Sequence, residues 1–351
     1  MEPAIIPHSR PSLEASDIRA VAAAMRSGPL AQGPRVIEFE KRIARFIGKK
    51  NAAATSSGTA ALHLALLSLD VKEHDEVILP SFVCSAVLNA VHYTGATPVL
   101  ADIEPLTFNL SSETVKKAIT RKTKVVIVPH LFGCPAEMDG LSELGIPLIE
   151  DCAQAIGATF KGRKVGSIGL LSVFSFYATK VITSAEGGMV LSDSEHLTAK
   201  IKDLRDYDNR TDYRPRYNYK MNEVQAAFGL SQLFRLNELL DKRREIADRY
   251  FEEFKDSRFS LPFRKEGREH IYYRFVVRIE KGVSARIAEL ERKNIQCRRP
   301  VYKPLHVYSR LSGFPQTTAA WRASLSIPIY PSLNEKEIHR IIAGVKEIFY
   351  Y

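Results

Sequence analysis

The sequence predicts an α/β protein: a mainly parallel sheet with flanking helices, followed by a smaller C-terminal α+β domain. Three observations carry that prediction. Apolar strand candidates alternate with helical segments between about residues 50 and 200, the pattern of βαβ units. Beyond one long helical stretch, the pattern changes to a single alternating strand and two helices. Finally, 351 residues are more than one simple core organises, so we expect a large domain over 1–241 and a small one over 242–351.

The elements follow in order. An N-terminal arm and helix occupy about Ser12 to Arg26, and a Gly/Pro stretch leads to an amphipathic helix from about Val36 to Ile47. In Ala53-Ala54-Thr55-Ser56-Ser57-Gly58-Thr59, a small-residue turn opens a helix whose Leu62, Ala65, Leu66 and Leu69 recur at helical spacing and predict one apolar face. Strands are expected at Glu76–Leu79, Thr97–Ala101, Val125–Val128, Leu148–Ile149 and Val173–Ser175, with Gly188–Ser192 returning beside them. A long helical pattern runs from Glu223 to about Phe254. His270 to Ile279 alternates as a strand, Ala285 to Lys293 reads as a helix, and Lys336 to Tyr350 closes the chain as another.

Three segments carry chemistry. The run Ser175-Phe176-Tyr177-Ala178-Thr179-Lys180 sets a lysine between an apolar strand and a small-residue turn. There its amine can face inward, where burial lowers its pKa and makes it a carbonyl-trapping nucleophile; a solvated surface lysine is the alternative. Upstream, Ile146 to Gln154 reads as a short buried strand that delivers Asp151 at its carboxyl end, where open α/β sheets bind ligands. Asp151 either caps the next turn or pairs with a protonated pyridine nitrogen, as pyridoxal phosphate (PLP) requires. The Gly58 turn offers backbone N–H groups at a helix N-terminus to a phosphate, with Ser57 and Thr59 as hydroxyl donors or as ordinary caps.

In this order and spacing the chain resembles the DegT/DnrJ/EryC1/StrS sugar aminotransferases, which are fold-type I PLP enzymes. The likeness is nearly full length, from Gly33-Pro34-Arg35-Val36 through Glu150-Asp151-Cys152-Ala153-Gln154 to Arg216-Tyr217-Asn218-Tyr219-Lys220 and Pro304-Leu305-His306. The resemblance implies that Lys180 carries PLP as a Schiff base and then moves a proton, while the cofactor cycles through pyridoxamine phosphate. It makes Asp151 the ring-nitrogen partner and Gln154 a neighbour of the phenolic oxygen. Ser57, Gly58, Thr59 and Ser175 would hold the phosphate, and Asn218 would reach the cofactor of a neighbouring subunit, which implies a homodimer with shared active sites. The implied reaction moves an amino group from L-glutamate to a nucleotide-linked ketosugar, in amino-sugar biosynthesis for cell-surface polysaccharide or secondary metabolites. A ketocyclitol or other non-nucleotide ketone, or a non-catalytic PLP-binding sensor or scaffold, are the competing readings.

Two departures stand out. Cys84 occupies a position where many relatives have an aromatic that stacks on the cofactor, so either Phe82 or another side chain covers that face, or only a small sulfur does. Ala185 stands where a glycine is common before Glu186-Gly187-Gly188, which predicts a turn without positive φ there.

Composition narrows the classes. A hydrophobic fraction of 45% and a charged fraction of 26% are those of an ordinary globular enzyme. No stretch reaches the ~20 apolar residues of a membrane span, and Met1 to His8 lacks a signal-peptide core, which places the chain in the cytoplasm. The four cysteines, Cys84, Cys134, Cys152 and Cys297, show no metal-ligand spacing, nor do His130 and His306, so no metal is expected. The net charge of +10 is spread along the chain without a nucleic-acid-binding motif. Arg298 and Arg299, just before Pro300 to His306, are candidate contacts for a substrate diphosphate together with His306; plain surface charge is the alternative.

Overall fold

The computed structural model describes residues 4–349, so Tyr350, the expected end of the last helix, lies outside the described residues, as do Met1 to Pro3. Seven strands form the main sheet: β1 (Asn51–Thr55), β2 (Glu76–Pro80), β3 (Thr97–Ala101), β4 (Thr123–Pro129), β5 (Leu148–Asp151), β6 (Leu171–Ser175) and β7 (Gly188–Ser192). Their order is β1-β7-β6-β5-β4-β2-β3. β3, β2, β4, β5 and β6 pair in parallel, whereas β7 runs antiparallel to both β6 and β1. The expected mainly parallel sheet is present, with one reversed strand that is Gly188–Ser192, as anticipated.

β1 has no counterpart in the sequence reading, because Ala52, Ala53 and Ala54 lack the β-branched or aromatic side chains that mark a strand. Neighbours hold it instead. Glu40 on helix α2 (Pro34–Ile47) accepts the Ala54 N–H at 2.8 Å, and the guanidinium of Arg205 bridges Glu40 and the Ala54 carbonyl at 2.6 Å each. This buried ion pair satisfies backbone groups on the outer edge of the sheet. Helix α2 itself starts with Pro34 at its first turn and stops at Gly48, whose φ of 93° provides the left-handed cap.

Helix α1 spans Ala15–Arg26, and helix α3 spans Gly58–Ser68. A single apolar face on α3 was expected, yet all of Ala60 to Leu66 is buried, since the helix is packed between the sheet, helix α4 (Ser85–His92) and helix α5 (Glu195–Leu204). The long pattern from Glu223 divides into α6 (Glu223–Phe234) and α7 (Leu236–Glu253), broken at Arg235, whose φ/ψ of −100°/8° leaves the helical region.

α7 joins two cores. Its Leu236, Leu239 and Leu240 pack with Phe39, Ile156 and Phe176, whereas Ile246, Ala247 and Tyr250 pack with Phe275, Leu325 and Ile327. The second core is closed by β8 (Phe275–Arg278) paired antiparallel with β9 (Ser324–Ile327), by α8 (Val283–Arg292) and by the closing helix α10 (Glu335–Phe349), whereas α9 (Pro315–Ala323) packs its Ala320 with Leu79, Phe82 and Leu305. The strand expected from His270 begins only at Phe275. Before it, Tyr272 has a φ of 50°, and Ile271 and Arg274 donate to the carbonyls of Gly133 and Phe132, so this stretch docks on the large core instead of extending the ladder.

Candidate active site

The carboxyl ends of β5 and β6 lie side by side, with Asp151 paired in register with Val173. Asp151 ends β5 almost fully buried, and its Oδ1 accepts the Ala153 N–H at 3.0 Å. Oδ1 thus takes the turn-capping role, one of the two anticipated, and no hydrogen bond among the described residues occupies Oδ2. Burial pushes its carboxyl above the ordinary range, opposed by the Ala153 N–H, Lys180 and His130.

Beyond β6 the chain folds back on itself, with the Phe176 N–H donating to Gly187 O and the Ser184 N–H to Phe176 O at 2.9 Å each. Lys180 sits in this loop, half-buried, its Nζ 5.3 Å from the centre of the Tyr273 ring. Ala185 completes the loop with a φ of 66°, contrary to the expectation from its side chain. The Thr183 hydroxyl accepts the Ala185 N–H at 2.9 Å and the Ser184 hydroxyl donates to Glu186 O at 2.7 Å, and these bonds hold the alanine in a region that costs L-residues about 1 kcal/mol.

The third component is the turn between β1 and α3. Ser57 caps α3, its Oγ accepting the Ala60 N–H at 3.1 Å, while the first backbone N–H groups of the helix have no intrahelical acceptor. A Cβ on Gly58 would lie 2.9 Å from the Ser175 Cβ, so glycine lets the turn and the end of β6 form one cradle. A Cβ on Gly188 would lie 2.2 Å from Ser57 O; this glycine is part of the same construction, and only the Gly187-Gly188 pair hinted at it. The cradle and the half-used buried carboxylate fit a phosphorylated, cationic-ring cofactor.

Gln154 is oriented by the Phe132 N–H, which donates to its Oε1 at 2.8 Å and leaves the amide NH2 as the group to offer a ligand. Cys84 caps α4 and is reached by solvent, yet surrounding protein pushes its thiol pKa up; Asp151 reinforces that shift and Lys180 opposes it. Phe82 does not cover a ligand: it is fully buried in a cluster with Phe108 and Phe132, ring centres 5.6 and 6.2 Å away. Asn218 is exposed on a strap that lies beside the phosphate turn, since the Ser56 N–H donates to Tyr219 O at 2.7 Å.

The other candidates are engaged elsewhere. Arg298 Nη1 donates to Glu291 at 2.5 Å, and Arg299 donates to Trp321 O and to the Ser284 hydroxyl at 3.2 Å. His306 is buried, its Nδ1 2.7 Å from the Ser81 hydroxyl and its ring stacked on Phe314. His130, Glu150 and Cys152 form a compact buried group, in which His130 and Glu150 are bound to each other and to backbone N–H groups. His130 Nδ1 accepts the Ala136 N–H at 3.0 Å and Nε2 meets Glu150 at 3.0 Å.

The sequence reading passed over Tyr273 and Glu150, one on a distant segment and one beside Asp151. No helix among the described residues is long and apolar enough to cross a membrane.

Comparisons with known proteins identify the family. GDP-perosamine synthase of Caulobacter vibrioides is 36% identical over 336 residues, covering 90% of each chain. The spore coat polysaccharide biosynthesis protein SpsC of Bacillus subtilis is 34% identical over 376 residues, covering 98% of this chain and 97% of that one. A Streptococcus pneumoniae protein solved in a PLP form superposes with a TM-score of 0.93 at 30% identity over 98% of both chains. The sequence profile of one family matches residues 11–346, and with these relatives it establishes that the chain belongs to the DegT/DnrJ/EryC1/StrS aminotransferase family.

Proposed function

We propose that this PLP-dependent aminotransferase takes an amino group from L-glutamate and places it on a nucleotide-linked ketosugar in amino-sugar biosynthesis, with the cofactor alternating between pyridoxal and pyridoxamine phosphate. The observation that carries the reading is the convergence of Lys180, Asp151 and the Gly58–Ser175 cradle at the carboxyl ends of β5 and β6. Two relatives support the acceptor class, one named for a GDP-linked sugar and one for polysaccharide biosynthesis.

PLP supplies an aldehyde that captures amines and a ring that accepts electrons. Lys180 Nζ anchors it and, once released, holds and moves the proton. Asp151 presents its free oxygen to the ring nitrogen, Gln154 donates toward the phenolic oxygen, and Ser57, Gly58, Thr59 and Ser175 bind the phosphate. Cys84 would border the ring, its thiol too small to stack on it as an aromatic does. Asn218 completes the site of a second subunit, and the domains divide at 241/242 within α7. Arg298, Arg299 and His306 stay the candidate substrate contacts in this scheme; Arg298 Nη1 also donates to Glu291, Arg299 Nη2 to Ser284, and His306 Nδ1 meets the Ser81 hydroxyl.

The test is to load the protein with PLP, add L-glutamate and follow both the cofactor absorbance and the release of 2-oxoglutarate. Nucleotide-linked ketosugars are then offered to the aminated form. Conversion by glutamate and reversal by one of the sugars is the expected result, and Lys180→Ala should abolish both. An unchanged spectrum with glutamate, or transfer that survives Lys180→Ala, would overturn the scheme.

A further inference from the structure

Tyr273 is distant in sequence from every motif above, yet its ring lies against the Lys180 amine. Its segment is pressed against the 131–134 turn, where a Cβ on Gly133 would lie 2.6 Å from Ile271 Cγ1 and 3.0 Å from the Tyr273 backbone nitrogen. The same turn orients Gln154 through the Phe132 N–H. Tyr273 is 6% exposed; its hydroxyl lies 3.4 Å from the hydroxyl of Thr179, the residue before Lys180, and its ring faces Lys180 Nζ.

The charges around this phenol are of one sign. The Arg274 guanidinium lies 5.2 Å from the ring centre. Arg243, buried on α7, donates to the carbonyls of Tyr272 and Tyr273 at 3.3 Å and of Ile329 at 3.0 Å. Arg274 rests in turn on His8, whose ring burial holds neutral with a pKa of about 3, so His8 adds no further charge. Asp151 at the end of β5 and Cys84 at the start of α4 are the other titratable groups that feel Lys180. Burial by itself would raise the Tyr273 pKa, but Lys180, Arg274, the Thr179 hydroxyl and Arg243 together bring it down to about 8.

We propose that Tyr273 is a positioning residue for Lys180: its ring face and Thr179-tethered hydroxyl hold the lysine amine and set that nitrogen's affinity for a proton. The inference rests on the reading of Lys180 as the cofactor-bearing lysine. A phenol brought down to about 8 carries partial negative charge at mildly alkaline pH, beside a nitrogen that must be protonated at one stage and free at another.

The experiment is a pH titration of the absorbance of the PLP-loaded protein, with thermal unfolding and PLP affinity measured alongside. Tyr273→Phe keeps the ring and removes only the hydroxyl. Because an anionic neighbour favours the protonated nitrogen, its removal should lower the pH midpoint, by roughly one unit, with little change in PLP affinity. Thr179→Val, which releases the tether but keeps the phenol, should move it the same way by less.

A wild-type midpoint in Tyr273→Phe, with Lys180 still trapped by borohydride, overturns this inference and leaves the aminotransferase reading standing. If Tyr273→Phe does not fold, a wild-type midpoint in Thr179→Val overturns it equally. If wild-type protein loaded with PLP shows no adduct at Lys180, the reading of that lysine fails and this inference falls with it.

Discussion

Glu150 and Asp151 are consecutive carboxylates on one strand, both buried, and their environments are opposite. Successive side chains on a strand face opposite sides of the sheet. Glu150 receives the Gly166 N–H at 2.8 Å, the Ile168 N–H at 2.8 Å, the Gly169 N–H at 2.6 Å and His130 Nε2 at 3.0 Å. Asp151 receives one backbone N–H. Burial raises the proton affinity of both; for Glu150 the His130 and backbone donors more than reverse it, so its pKa falls below the ordinary value, whereas that of Asp151 stays raised. The number of donors, not burial, separates a structural carboxylate from one kept in reserve for a ligand.

The comparison is sharpened most by Glu150→Ala. It leaves three backbone donors and His130 without their acceptor in a dry interior, and we expect a loss on the order of 3–5 kcal/mol in stability, read from the urea midpoint. Transfer per folded, PLP-loaded molecule should stay within a few-fold of wild type. A small change in midpoint would mean that solvent or rearrangement can replace the carboxylate.

Asp151→Asn should do the reverse. Amine transfer is expected to fall by roughly 100- to 1000-fold, because the variant no longer holds a negative charge toward the ring nitrogen. The cofactor-free protein should unfold at higher urea than wild type, since a buried charge with a single donor costs stability. An Asn variant that is both active and less stable would place Asp151 with Glu150 as a scaffold residue.

Acid titration separates the two carboxylates without altering their donors. Glu150 has a depressed folded pKa, so its contribution is present above the ordinary 4.5 and is lost as pH falls through the folded value. Asp151 has a raised folded pKa, so its ionised form destabilises the cofactor-free fold at neutral pH. That penalty is relieved as pH drops from the folded value toward 3.8. Wild type minus Asp151→Asn should therefore show relief on mild acidification, and wild type minus Glu150→Gln a loss at lower pH. Coincident windows would contradict the opposed shifts.

These two residues also mark how far the sequence could be read. Asp151 and the Gly58 turn were legible because one ends an apolar strand and the other opens a helix, where local pattern dictates position, and Lys180 because the run from Ser175 leads from β6 into a small-residue loop. Glu150 was adjacent and passed over, since three of its four partners are the backbone N–H groups of Gly166, Ile168 and Gly169, which no side-chain type announces. Tyr273 was hidden because its run alternates like a strand, and its distance from Lys180 closes only when that run docks on the Gly133 turn. Ala185 misled for a related reason: neighbouring hydroxyls, not its own side chain, decide its φ. The alanines of β1 lie in the sheet because Glu40 and Arg205 serve their backbone.

The smallest effect is expected at Gly166, which donates one of the four bonds to Glu150. Its φ is 90°, and an added Cβ would lie 2.7 Å from Phe174 Cζ and 3.2 Å from Cys152 Sγ. Gly166→Ala therefore combines left-handed strain with a contact on a fully buried ring, and we expect a cost of about 1–2 kcal/mol in the urea midpoint. If Glu150 acts as one unit with its donors, the cost should shrink in a Glu150→Gln background, where the carboxylate that the Gly166 N–H serves is already gone. Strict additivity in that double-mutant cycle would assign the Gly166 penalty to backbone strain and Phe174 packing, and the donor-count explanation would then rest on Ile168, Gly169 and His130.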